Sequence, residues 1–200
     1  MPHILLLFCM VCGVSSAYAS DQYREKQNEL RLNNVISEAV FDRAMSLHES
    51  RINNRPFVII DYSQPSSIPR MAIIDGEIEN TQLVSHVTHG VNTGYNYAKS
   101  FSNIVGSKQT SLGIFKTAET YYGRHGYSLK LDGLSETNNK ARERYIVLHG
   151  AQYARSEFAD KMGFLGRSWG CPAVPDYAAR KIIDLIKNGS YIYAFNSGTQ

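Results

Sequence analysis

The sequence predicts a mainly β domain, β-sandwich-like, with a lead-in helix at its N-terminal side and one helix near its C-terminal end. Three observations predict it. Short runs rich in β-branched and aromatic residues recur along the chain with turn residues between them. Helical periodicity is confined to two places, and little helical pattern lies between the strand candidates. The composition, 43% hydrophobic and 20% charged over 200 residues, is that of one globular domain and excludes a disordered, collagen-like or coiled-coil chain.

The first residues stand apart from that domain. From Ile4 to Val14 the chain is apolar without interruption, and Ala17-Tyr18-Ala19 before Ser20 is the small-residue pattern a signal peptidase reads. The run is too short to span a bilayer, and Cys9 and Cys12 do not follow the Gly or Ala that lipid attachment wants. The expectation is a signal peptide over 1–19, a helical lead-in over 20–55 and a catalytic domain over 56–200, in a periplasmic or secreted protein with no membrane attachment after cleavage. With the leader gone, Cys171 is the one remaining cysteine and has no intramolecular partner.

In the lead-in, Leu30, Ile36, Ala39, Val40, Ala44 and Leu47 recur at helical spacing, and Asn53-Asn54 with Pro56 end the pattern. The strand candidates follow: Phe57 to Asp61, Arg70 to Ile74, Leu83 to Thr88, Ser111 to Thr117, Tyr127 to Leu131, Tyr145 to Leu148 and Tyr191 to Phe195. So little helix separates them that antiparallel pairing is expected. Gly90 to Gly106, rich in Gly, Ser and Asn, reads as a long loop. Asp176 caps a helix whose Ala179, Ile182, Ile183 and Ile186 share a face, and Asn188-Gly189 stops it.

A formal charge of +3 dispersed along the chain carries no nucleic-acid footprint. Metal binding is not expected: His86 and His89 fall three apart on a strand candidate and face opposite sides, and no third ligand has a familiar spacing. No cofactor motif is present, and the oligomeric state is left open.

Chemistry concentrates at two places. The strand Tyr145 to Leu148 runs into His149-Gly150, which projects a histidine from the end of a rigid element. Further on, Gly166-Arg167-Ser168-Trp169-Gly170-Cys171-Pro172 is a small-residue turn around the lone thiol. A thiol with a pKa of about 8.5 is mostly protonated at neutral pH, and an adjacent imidazole that takes its proton makes it a nucleophile. Backbone N–H groups near Gly170 could converge on an oxyanion. A buried inert cysteine and a satisfied strand-end histidine fit the same spacing.

Those two segments resemble the active-site signature of the L,D-transpeptidase catalytic domain, the YkuD-type fold, and in particular its murein L,D-transpeptidase branch. Ile60-Asp61-Tyr62-Ser63 leading to Arg70, Ser111-Leu112-Gly113-Ile114-Phe115 and Gly126 to Leu134 fit the same branch, so the resemblance covers about residues 56–195. It implies a peptidoglycan enzyme with Cys171 as nucleophile, His149 as general base and the Gly150 carbonyl as the acceptor orienting the imidazole. It also implies an oxyanion hole of the Trp169, Gly170 and Cys171 amides, with Arg167, Ser168, Trp169 and His89 lining the substrate cleft.

Such an enzyme forms a thioester at the third-position diamino acid of a stem peptide, releases the terminal D-residue and passes the acyl group to an amine. An L,D-carboxypeptidase of the same fold and a noncatalytic wall-binding module are the alternatives. Two departures bear on substrate contacts. Trp169 stands where the wider superfamily has a second histidine, and Pro172-Ala173-Val174-Pro175 stands where an Arg or Asn soon follows the cysteine.

Overall fold

The computed structural model describes residues 11–51 and 54–198, with the side chains of 11–19 outside the description. The first part of the expected leader therefore lies outside the described residues. From Val11 the chain is helical to Glu29 (α1), and Glu38–Glu49 forms a second helix (α2). The single lead-in helix read from the sequence is thus two, because Leu30–Ser37 turns the chain with Arg31 in the left-handed region (φ 56°). No helix among the described residues is long and apolar enough to cross a membrane.

Eight strands form one hydrogen-bonded run: β1 (Phe57–Asp61), β2 (Met71–Ile74), β3 (Thr81–Ser85), β4 (Gly113–Gly123), β5 (Gly126–Gly133), β6 (Val147–Ala151), β7 (Ala173–Pro175) and β8 (Tyr191–Phe195). Their order is β3-β2-β1-β8-β4-β5-β6-β7. Five of the pairings are antiparallel, as expected. The β1–β8 and β6–β7 pairs are parallel, which corrects the all-antiparallel expectation. A single 3₁₀ turn, Gln152–Ala154, and a short helix α3 (Ser156–Met162) join β6 to the loop before β7, and α4 (Asp176–Ile186) follows.

Strands β1 and β2 are buried at every position, because apolar layers cover both faces of the sheet and an uninterrupted apolar run satisfies both. One layer packs Ile182, Ile183 and Ile186 of α4 on Val58, Phe115, Leu131 and Leu148. The other packs Val40, Phe41 and Ala44 of α2 on Phe57, Ile59 and Tyr193. Asp61 ties that second layer to the sheet by accepting the Ser37 amide at the start of α2 (2.7 Å). The His48 ring of α2 stacks on Phe57 at 3.8 Å and meets the Tyr193 hydroxyl at 3.0 Å.

The run also folds back on itself. Past β3, Thr88 donates its amide to the Ala173 carbonyl and accepts the Ala173 amide on its hydroxyl, so the two ends of the sheet meet in a sandwich-like enclosure. This closure rests on Arg70, which is fully buried. Its guanidinium donates to the Gln64 carbonyl (2.8 Å), twice to the Val87 carbonyl (3.1 and 2.9 Å) and to His89 Nδ1 (2.8 Å). A guanidinium only donates, so His89 Nδ1 accepts and the proton of the neutral ring sits on Nε2, directed at the Gly94 carbonyl at 3.2 Å.

Burial, then the charge of Arg70, holds the His89 imidazole down to about 4. Above its ordinary value near 6.5 the ring is neutral in both folded and unfolded chains. Below that value only the unfolded chain takes up the proton, so stability is lost as pH falls from about 6.5 toward 4. Urea titrations at pH 7 and pH 5 should show this acid loss, and His89→Gln should flatten the slope even if its stability at pH 7 is lower. An unchanged slope in the variant would mean that other groups carry the acid sensitivity.

Candidate active site

His149 sits in the middle of β6, in register with Ser128 on β5 and with Ala173 on β7. Cys171 precedes Ala173 by two residues, so the parallel β6–β7 pair brings the histidine and the cysteine to the same sheet edge. The imidazole is 2% exposed. Its Nδ1 lies 3.0 Å from the Gly150 carbonyl. A carbonyl only accepts, which puts the ring proton on Nδ1 and the basic lone pair on Nε2. Burial lowers the His149 pKa, with the neighbouring His125 acting in the same direction.

The thiol of Cys171 is free and half-buried. Burial raises its pKa, while a hydrogen bond from the Val147 backbone and the charge of Arg144 oppose that rise. Both shifts favour a neutral thiol beside a neutral imidazole in the resting state. The thiol hydrogen bond goes to the Tyr145 carbonyl at 3.6 Å, not to the imidazole. Tyr145 holds a left-handed backbone (φ 55°) with its ring 84% exposed, an unfavourable conformation for a bulky residue that aims its carbonyl at the sulfur.

The turn around Cys171 is laced from within. Ser168 donates its amide to the His89 carbonyl (3.0 Å) and its hydroxyl to the Cys171 carbonyl (2.6 Å), and the same hydroxyl accepts the Gly170 amide (3.0 Å). Gly170 adopts φ 117°, and a Cβ there would lie 2.6 Å from the Gln109 carbonyl oxygen, so glycine is required. Arg144 braces the other side, donating to the Ser102 carbonyl (2.7 Å) and to the Gln109 carbonyl.

These contacts commit several groups of the turn. The Gly170 amide is spent on the Ser168 hydroxyl. Ser168 is buried with its hydroxyl engaged inside the turn, and His89 is 1% exposed with both ring nitrogens occupied. Both hold the backbone of the turn. His86 faces the Ser67 carbonyl at 3.3 Å, away from the partners of His89.

Arg167 and Trp169 do face outward. The Arg167 guanidinium stacks over Tyr95 at 4.3 Å and Phe164 at 5.3 Å. Trp169 is 72% exposed and carries the Lys108 ammonium 4.5 Å from its ring centroid, so the ring stands beside the turn and does not pack beneath it.

The contacts of three residues were not foreseen from the sequence. His125 stacks on His149, with centroids 4.2 Å apart and planes at 23°. Tyr145 supplies the carbonyl at the thiol, and Arg144 is spent on loop carbonyls. Only the turn signal Gly123-Arg124-His125-Gly126 between two strand runs pointed toward the first of these. A cavity of about 590 Å³, lined by Arg43, Lys99, Phe101 and Phe195 among others, includes neither His149 nor Cys171.

Comparison with known proteins gives the same family by an independent route. No curated protein matches the chain. Among solved structures, the Ldtfm–avibactam carbamoyl enzyme is 11% identical with a TM-score of 0.43, covering 72% of this chain and 49% of that one. The L,D-transpeptidase from Xylanimonas cellulosilytica is 14% identical at a TM-score of 0.41, with 76% and 69% covered. That from Stackebrandtia nassauensis is 11% identical at 0.42, with 86% and 75% covered. The chain thus spans about half the length of the first of these. The family model of the L,D-transpeptidase catalytic domain matches residues 27–195, and the chain belongs to that family.

Proposed function

We propose that this protein is an exported cysteine acyltransferase that works on peptidoglycan stem peptides. The observation that carries the reading is the juxtaposition at one sheet edge of a lone thiol, on a turn with two uncommitted amides, and an imidazole whose tautomer is fixed by the Gly150 carbonyl. The apolar run before Ala17-Tyr18-Ala19 supports export, to the compartment where such stems are found.

In the proposed reaction the Cys171 thiol turns from the Tyr145 carbonyl toward His149 Nε2. Nε2 accepts the thiol proton as sulfur bonds to the carbonyl carbon of the third-position diamino acid. The negative charge that develops on the carbonyl oxygen meets the Trp169 and Cys171 amides. The bond to the terminal D-residue then breaks, and its nitrogen leaves with the proton held by the imidazolium. A thioester remains. An acceptor amine, deprotonated by His149, attacks it and regenerates the thiol. Because the resting pair is neutral, the base acts during attack instead of standing as a preformed ion pair.

The L,D-carboxypeptidase alternative differs only in the acceptor, with water replacing the amine. A noncatalytic module would need neither the fixed tautomer nor the free thiol. Incubation with purified disaccharide-tetrapeptide and mass analysis of the products tests the three together. The proposal expects cross-linked dimer and free tetrapeptide-derived D-residue, with Cys171→Ala inactive yet folded and His149→Ala slowed by about 100-fold or more. Appreciable turnover by the Cys171 variant would remove the nucleophile assignment.

A strained β-lactam offers the same kind of carbonyl to the thiol. A carbapenem should therefore raise the intact mass by one drug equivalent, and the adduct should vanish in Cys171→Ala. Its survival in that variant would place acylation elsewhere on the chain.

Trp169 is exposed and precedes Cys171 by two residues in the same turn, and a ring there can shield a thioester from water. Trp169→Ala should stay folded, still form the acyl-enzyme and shift products from dimer toward free tripeptide. An unchanged product ratio would deny the ring that role.

A further inference from the structure

His149 is held by one hydrogen bond, from Nδ1 to the Gly150 carbonyl. That bond fixes the position of one nitrogen but not the tilt of the ring about the N–H···O axis, which moves Nε2 and which, for a ring this buried, is left to the groups packed on its faces. Something else has to set the ring plane. Among the described residues, the aromatic ring lying against the imidazole belongs to His125, stacked nearly parallel at 4.2 Å and 23°.

His125 reaches that place on the tip of the β4–β5 hairpin, where Gly123 pairs with Gly126 and Gly126 takes the left-handed backbone the turn needs (φ 73°). Its side chain is exposed on the outer face, so no hydrophobic core explains its packing. The tip is also fastened. Just below it Tyr122 and Tyr127 lie with ring centroids 5.3 Å apart. Arg180 of α4 donates to the Tyr122 hydroxyl at 2.9 Å and stacks over Tyr127 at 4.8 Å, and Tyr127 donates to Asp184 at 3.0 Å. Helix α4 therefore anchors the hairpin, and the anchored hairpin presents His125 over His149.

We propose that His125 is a positioning residue for the general base: the hairpin lays its ring on His149, fixes the imidazole plane and closes one face of it to water. This rests on the reading of His149 as the base. The stack acts through the π face, so an aromatic ring without ionisable nitrogens should serve as well.

The test measures the rate of Cys171 alkylation by iodoacetamide at neutral pH, and kcat and KM on disaccharide-tetrapeptide, in the full-length protein. His125→Ala should slow alkylation and lower kcat by about 3- to 10-fold with little change in KM, the range expected for loss of one aromatic pair. His125→Phe should recover most of both, and melting temperatures should show that each variant is folded. In a His149→Ala background, His125→Ala should have no further effect, because its action passes through the missing ring.

The proposal is overturned if His125→Ala leaves kcat and alkylation intact or changes KM alone. Equal losses in the Phe and Ala variants, or an undiminished effect of His125→Ala without His149, also overturn it. If His149→Ala itself leaves alkylation and turnover at the parent rate, the base assignment falls and takes this inference with it. Loss with His149→Ala but none with His125→Ala removes only the positioning role.

Discussion

The guanidinium of Arg70 is a cation buried in the centre of the protein, and its partners are backbone carbonyls and one imidazole in place of a carboxylate. A buried charge is tolerated only when its donors are satisfied, so the carbonyls of Gln64 and Val87 and the ring of His89 must converge on it. That convergence fixes the path of residues 87–89. The same residues pair with Ser168 and Ala173 on either side of the Cys171 turn, so the position of Cys171 follows from a hydrogen-bond requirement at the start of β2. Arg144 works in the same way from the opposite side, spending its planar fork on the Ser102 and Gln109 carbonyls beneath Gly170. Two guanidinium groups thus clamp the backbone that carries the thiol.

Burial also sets the resting electrostatics. Removing water raises the Cys171 thiol and lowers the His149 imidazole, since it penalises the charged form of each. A neutral pair is less reactive toward adventitious electrophiles and oxidants than a standing thiolate, which suits a cysteine with no disulfide partner among the described residues. Arg144 and the Val147 backbone favour the thiolate once a proton has somewhere to go. The Tyr145 carbonyl holds the thiol until then, at the cost of a left-handed backbone for a bulky residue.

What the sequence made legible follows from how local each feature is. The apolar runs of β1, β2 and β8 and the amphipathic face of α4 announce themselves within a few residues, and the structure has them where the pattern placed them. β7 escaped because Ala173-Val174-Pro175 is three residues long and ends in proline, and its strand character comes from pairing with β6. The parallel pairs were equally out of reach, since β1 and β8 are joined across almost the whole domain. In the site, the His149–Gly150 contact is between chain neighbours and could be expected. The positions of His89 and Ser168 depended on Arg70 and on the folded turn, and no local pattern distinguishes a histidine that lines a cleft from one that supports it.

The turn around Cys171 divides its residues by side. Ser168 and Gly170 face the protein and set the geometry, the first through its hydroxyl and the second through a backbone no other residue adopts easily. Arg167 and Trp169, alternating with them, face solvent and are met there by Tyr95, Phe164 and Lys108. An aromatic face holds a cation by its quadrupole without neutralising it. Neither Arg167 nor Lys108 forms an ion pair among the described residues, and Arg167 donates to the Gly94 carbonyl at 3.4 Å, so the rim of the turn carries ordered positive charge without a carboxylate partner. Alternation lets one seven-residue segment meet two demands that would conflict on a single face: inward polar groups must be saturated by protein partners, whereas outward ones can be left to aromatic faces and solvent.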